Sequence, residues 1–273
     1  MAQEISLTSA MRANLLSLQS TVSLLNRTQD RLSSGKKVNS ALDNPTNYFA
    51  AKSHQNRAND IASLKDSMGE AIQTVKSASS GIDSISTLIE SARGIAQSAL
   101  STSDAAQRTQ YAAQYDAVIG QIASLASDSG YRGTNLLSGN TLSVKFSENS
   151  ASSLDIVGFN ATASDLGIIA AAASWGGGGG TASINSALTE LSGASSTLRV
   201  QASTLSSSLS IVQTRADWAD QMIATLRAGA SALTDADMNE EGANMLMLQT
   251  RQSLGTTALS LSAQNAQSVL RLF

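Results

Sequence analysis

Residues 64–99 read LKDSMGEAIQTVKSASSGIDSISTLIESARGIAQSA. Leu64, Met68, Ala71, Val75, Ala78, Ile82, Ile85, Ile89, Ala92, Ala96 and Ala99 step through this stretch by four and three, with no slip of phase. Apolar side chains at that spacing fall on one stripe of an α-helix with a 3.5-residue repeat. At 1.5 Å per residue the stretch makes about 54 Å of helix. A helix of that length holds in water only when its stripe is covered, so the stretch predicts a rod-like bundle and not a thick globular core.

The same stepping recurs on both sides. Upstream, Met11, Leu15, Leu18, Val22, Leu25 and Leu32 form a second seam, ended by Gly35 as a natural C-cap. Asp43 or Asn44 then caps a new helix, with Pro45 in its first turn. Downstream, 101–104 reads as a turn and N-cap, and a third helix carries Tyr115, Ile119, Ile122 and Ala126 as far as Ser129-Gly130. Helix resumes near Ala182 and carries Leu188, Leu191, Leu198, Leu205, Val212, Ala219, Ile223 and Leu226. A last helix runs from about Asp237 through Met245, Leu248, Leu259, Val269 and Phe273. Only the middle differs. Residues 141–146 and 154–157 alternate with period two about a turn-like run, which predicts a β-hairpin. Gly176–Gly180 reads as a low-complexity linker, with Trp175 beside it exposed or loosely packed. The expected fold is mainly α: a long antiparallel helical hairpin or coiled-coil bundle, its terminal helices paired, with a small central β-hairpin.

Composition agrees with a thin rod. Of 273 residues, 42 are Ala and 46 Ser, while Leu, Ile, Val and Phe together number 59. Ala and Ser let helix backbones approach closely but fill little volume. A net charge of −3 with no basic excess speaks against nucleic acid as a partner. With no Cys and a single His, structural zinc, Cys–His catalysis, iron–sulfur ligation and disulfides are excluded or nearly so. No run of 18 apolar residues exists, so no membrane insertion is expected. The N-terminal residues show no basic patch followed by an apolar run, so no signal peptide is expected.

Individual motifs carry little chemistry. His54 has no nucleophile pattern, second His or fixed acid with it, and reads as a polar interface residue. Asp235, Asp237 and Asn239 match the first ligand positions of a calcium loop. Glu240 stands where that loop needs Gly, and Leu246 where it needs Glu. The better reading is an acidic first turn at a helix N-terminus, favoured by the helix dipole. The five-glycine run lacks the Lys-Ser/Thr of a phosphate cradle. No catalytic residue, metal or cofactor is expected.

The two ends are weakly complementary in charge. Residues 1–60 carry seven Lys or Arg against four acids, and residues 227–273 carry three against four. Both terminal helices also have apolar residues off the main seam: Leu16, Leu24, Leu246, Met247 and Leu261. Pairing of these two helices alone would leave that surface in water, so a helical polymer or a partner chain is expected to cover it.

Residues 31–44, RLSSGKKVNSALDN, resemble the R-L-S-S-G-x-x-I-N-S-A-x-D-D pattern of bacterial flagellins. Further likeness lies in Leu233-Thr234-Asp235-Ala236-Asp237-Met238 with Glu241 and Gln249, in Gly255-Thr256 through Leu272, and in the F-N-G-x-x-L-L-like run Tyr131–Leu137. The resemblance covers roughly residues 1–140 and 183–273. It implies an inner-tube domain of terminal helices (1–44 plus 234–273), a rod-shaped helical domain (45–140 plus 183–233), and a short variable hairpin and Gly-rich loop (141–182). By the same resemblance, Met11, Leu15, Leu18, Val22, Leu25, Leu32, Met245, Leu248, Leu259, Val269, Leu270 and Phe273 serve inner-tube assembly. Gly35, Lys36, Lys37, Asn39, Asp43 and Pro45 belong to the spoke that joins the two domains. Leu261 and Ala263 depart from the family's terminal pattern, which alters packing detail and not the role.

The implied function is a structural subunit that self-assembles into the flagellar filament, the propeller for swimming. It is expected outside the cell after export by the flagellar type III apparatus. Its implied partners are copies of itself, an export chaperone, the filament cap and the hook-junction proteins. Flagellins that vertebrate Toll-like receptors recognise have Arg where Glu90 stands and Leu where Gly94 stands. Together with Arg93, these positions imply weak or no recognition. A hook–filament junction protein, which shares the terminal pattern, and a coiled-coil signalling domain are the alternatives.

Overall fold

A computed structural model describes residues 9–149 and 151–270, apart from the side chains of Ala10, Ala172, Ala173, Ala266, Val269 and Leu270. Five α-helices account for most of it: α1 (Ser9–Ser34), α2 (Pro45–Ser101), α3 (Ala105–Asp128), α4 (Gly180–Thr234) and α5 (Met238–Leu270). Two short strands, β1 (Thr141–Lys145) and β2 (Ser153–Val157), lie between α3 and α4, followed by a 3-10 turn at Ala172–Gly176. The chain divides into two compact units, one of Met1–Arg57 with Thr225–Phe273 and one of Ala58–Ala224. The unit boundaries fall inside α2 and α4.

Helix ends follow local chemistry. The Asn47 amide donates to the Asn44 side-chain oxygen at 3.1 Å, so Asn44 caps α2 and Pro45 opens it. Asp104 caps α3 by accepting from the Ala106 amide at 2.9 Å. Asp237 caps α5 by accepting from the amides of Asn239 and Glu240. Gly35 ends α1 in the left-handed region, φ +70°, with its amide bonded back to the Arg31 carbonyl.

In the unit of Ala58–Ala224 the α2 seam is the core. Met68, Ala71, Val75, Ala78, Ile82, Ile85, Ile89, Ala92, Ala96 and Ala99 are all buried. They share one apolar cluster with Tyr115, Ile119 and Ile122 of α3 and with Ile184, Leu191, Leu198, Leu205 and Val212 of α4. The Lys65 ammonium meets the Asp220 carboxylate at 2.6 Å, tying α2 to α4 at the surface. The strands pair antiparallel with Leu142 opposite Ile156 and Val144 opposite Leu154, and Val144, Phe146 and Ile156 turn inward to the same cluster. A small sheet without a core of its own is thereby held by the helices.

Two expectations are corrected here. Trp175 is not loose: it is 1% exposed, and its ring packs on Tyr115 with centroids 4.9 Å apart. Two of the five glycines, the first and the last, are not free linker. A Cβ at Gly176 or Gly180 would overlap, respectively, the Thr109 hydroxyl or the Trp175 carbonyl, so both hold backbone close to its neighbours. Small residues are needed there because the backbone of the 3-10 turn lies against α3 at Ala105 and Thr109, and the start of α4 lies against the backbone of Trp175. Composition alone does not show that packing.

Candidate functional site

The terminal helices pair with each other through α1 and α5. Met11 is buried on α1, while Leu15, Leu18, Val22, Leu25 and Leu32 are half-buried along the same seam. On α5, Leu248 is buried and Met245 and Leu259 are half-buried. Phe273 lies outside the described residues, as do the side chains of Val269 and Leu270. Seven seam residues are thus only partly covered by the pairing of the two helices.

Polar contacts fix the register of this pair. The Arg31 guanidinium donates to the Glu241 carboxylate at 2.8 Å, and the Glu241 side chain is only 8% exposed. A carboxylate removed from water in that way is costly unless paired. At Gly255 the helices touch: a Cβ there would meet Leu18 Cδ1 at 2.6 Å. Neither contact follows from the apolar seam. The signal for the first was the opposite charge of two residues lying in separate family-like stretches.

Large apolar side chains remain in water on the same helices. Leu16 and Leu246 are each 66% exposed, Leu254 65%, Leu261 59% and Met247 47%. Leu24 differs from the expectation: it is half-buried in the pair and not left outside. Leu254 belongs to the exposed set although the seam pattern did not single it out.

The segment after α1 is strapped to the junction between α4 and α5. The amides of Lys37 and Val38 both donate to the Thr234 carbonyl, at 2.7 and 3.1 Å, and the Ala236 amide donates to the Gly35 carbonyl at 2.9 Å. Lys36 and Asp235 thus form a single antiparallel bridge pair. The Lys37 ammonium adds a bond to the Ala232 carbonyl at 3.2 Å. Val38 is buried beneath the strap, at 5% exposure. Asn39 and Asp43 close the following turn: the Asp43 carboxylate accepts from the amides of Asn39 and Ser40 and from the Ser40 hydroxyl. Those bonds, the Ser40 amide first, hold its pKa below the ordinary carboxylate value. Pro45 begins α2 directly afterwards.

Glu90, Arg93 and Gly94 lie on α2 in the other unit. The Arg93 guanidinium straddles both Glu90 oxygens, at 2.9 and 3.2 Å, and nothing comes within 4 Å of a Cβ placed at Gly94. His54 is half-buried near Gly229. Asp235 and Asp237 do not converge on a common point: one accepts from the Thr234 hydroxyl and the other caps α5. Among the described residues no group of three His, Cys, Asp or Glu is placed to hold a metal ion.

The bacterial flagellin N-terminal helical region matches residues 5–141, and the bacterial flagellin C-terminal helical region matches residues 181–273. The chain belongs to the bacterial flagellin family. It is 30% identical to a flagellin of Brucella melitensis over all of this chain and 99% of that one. It is 29% identical to flagellin FljO of Caulobacter vibrioides, across 95% of this chain and 94% of that one. The crystal structure of Bacillus cereus flagellin overlays on 56% of this chain and 88% of its own, with a TM-score of 0.49 and 16% identity. The first family match spans α1–α3, and the second spans α4–α5 but for the first residue of α4. As a flagellin it is a structural subunit of the extracellular flagellar filament and not an enzyme. No described helix is long and apolar enough to cross a membrane.

Proposed function

We propose that the α1–α5 pair lines the inner tube of the filament, and that Leu16, Leu246, Met247, Leu254 and Leu261 are covered by neighbouring copies. The observation that carries this reading is their exposure on helices whose seam is itself half-filled. Burying one leucine side chain stabilises by about 1.5–3 kcal/mol. A set of five therefore favours association strongly enough to offset the freedom lost on docking. On this reading residues 1–44 with 234–273 form the inner-tube domain, 45–140 with 183–233 form the outer rod, and 36–45 is the spoke. The hairpin and Gly-rich loop at 141–182 are the variable segment.

The same reading includes export through the flagellar type III apparatus, a chaperone on the C-terminal helix, and a cap and junction proteins at the filament ends. The Glu90–Arg93 pair and the bare Gly94 present neither the free positive charge nor the apolar contact of receptor-recognised flagellins, so weak Toll-like receptor recognition is part of it.

Electron microscopy of the purified protein, seeded with sheared filaments, tests the assembly claim. Long uniform tubes are expected. Short caps on the seeds that stop growing would instead mean a junction protein. Hydrogen exchange separates the inner-tube assignment: α1 and α5 amides should exchange faster than those of α2 and α4 in the monomer and become strongly protected in the tube. Full protection in the monomer would overturn it.

A further inference from the structure

Charge is segregated between the two units. The unit of Met1–Arg57 with Thr225–Phe273 carries ten Lys or Arg against seven acids, net +3. The unit of Ala58–Ala224 carries eight against fourteen, net −6. Whole copies of the chain share a net charge of −3 and repel one another. Packing many such copies together is eased where surfaces of opposite sign face each other.

The positive unit has a concave place for such a contact. Beside the strap lies a cleft of about 480 Å³. Lys36, Lys52 and Arg227 line it, and all three are exposed. Among the described residues none of the three has an ion-pair partner. One carboxylate, Asp235, also faces the cleft and already accepts from the Thr234 hydroxyl. The floor is apolar, with Val38, Ala51 and Ala230 all buried. Phe49 stands at the side, 62% exposed, its ring edge-on to Tyr48 of the cleft wall. Three cations over an apolar floor with an aromatic rim suit an acidic protein surface carrying some apolar area. A carboxylate seated there is partly withdrawn from water, where its attraction to ammonium and guanidinium groups is stronger.

We propose that this cleft is a docking point for the acidic surface of residues 58–224 of a neighbouring copy in the filament. The inference rests on the filament reading above and adds to it a named, charge-based contact. A cleft on one copy meeting a different surface on the next is a heterologous contact, which propagates an open polymer and does not close a dimer. Exposed carboxylates without an ion-pair partner among the described residues supply the other half: Asp66, Asp83, Asp128, Asp155 and Asp217.

Seeded elongation of the full chain in 50 mM NaCl tests this, with the critical concentration as readout. The parent protein elongates. The double reversal Lys52→Glu with Arg227→Glu should raise the critical concentration at least tenfold, and Lys52→Gln with Arg227→Gln by less. Both effects should shrink in 0.5 M NaCl, where exposed charges are screened within a few Å. Asp66, Asp83, Asp128, Asp155 and Asp217 are then changed singly to Lys in the double-reversal background, and at least one should restore elongation. Unchanged far-UV circular dichroism and melting temperature establish that the variants fold. A critical concentration within twofold of the parent, or no restoring change among the five, would overturn the proposal and leave the filament reading intact. Failure of the parent itself to elongate would instead remove the filament reading.

Discussion

At the scale of single residues, two carboxylates in the same unit illustrate opposite situations. Glu241 is withdrawn from water and depends on Arg31, whose side chain remains about one-third exposed. Replacing Arg31 with Ala leaves Glu241 unpaired, and the cost is moderated by the water that enters. About 1–2 kcal/mol of destabilisation is expected, below the 3–5 kcal/mol typical of a fully buried pair. Urea unfolding of the monomer measures it, and Arg31→Ala with Glu241→Gln should recover part of the loss because the unpaired charge is gone. Asp43, by contrast, is exposed and acts through the bonds it accepts. Its folded pKa is lowered, so its contribution is complete above its ordinary pKa near 4 and is lost as pH falls through the lowered folded value. The melting temperature of Asp43→Asn should therefore lie below the parent at pH 7. The two should converge as the solution is acidified well below pH 4. A gap that persists unchanged at pH 2 would mean Asp43 contributes through shape and not through charge.

At the scale of elements, close approach decides more than seam volume. In the α1–α5 pair, Gly255 sits where a Cβ would strike the tip of Leu18. Ala is favoured over Gly in a helix by about 1 kcal/mol, while overpacking costs about 1–3 kcal/mol. Gly255→Ala alone should then leave stability near neutral or slightly reduced. In a Leu18→Ala background the clash is absent and the same change should stabilise by about 1 kcal/mol. A double-mutant cycle on monomer stability checks this, and additivity of the two changes would mean that the helices do not touch at that point.

Helix seams were legible in the sequence because a 3.5-residue repeat places side chains on one face whatever the partner. The cap at Asp104, the choice of Asp43 or Asn44 before α2, and the hairpin were legible from equally local signals, a side-chain acceptor before a helix and period-two alternation. Trp175 was not, because its burial depends on Tyr115, sixty residues earlier, and on glycines whose role is only to be small. The strap was hidden too: its bonds run between backbone atoms of Gly35–Val38 and Thr234–Ala236, which carry no side-chain signature. Trp175→Ala should consequently be among the most damaging single changes in the unit of Ala58–Ala224. About 3–5 kcal/mol is expected for deleting a buried aromatic, read as a fall in melting temperature.

At the scale of the whole molecule, a subunit must be soluble alone and cohesive in bulk. The large-apolar content is low, and part of it is spent on surfaces that stay in water in the monomer. Exposed leucines contribute little to monomer stability, so substituting them should act almost wholly on association. Leu16→Ala or Leu254→Ala should change the monomer's unfolding free energy by no more than about 0.5 kcal/mol, as for ordinary surface positions. If a neighbouring copy buries that side chain, losing it costs the polymer about 1.5–3 kcal/mol per contact. With 1.4 kcal/mol per factor of ten, the critical concentration should rise roughly tenfold to a hundredfold. This effect should persist or grow in strong salt, because apolar burial is not screened. The charge contact proposed for the Lys36–Lys52–Arg227 cleft should fade under the same conditions. Sedimentation of polymer from monomer across a salt series separates the two contributions in one experiment. A leucine variant that melts several degrees lower as a monomer yet polymerises like the parent would place that side chain inside the subunit and not between copies.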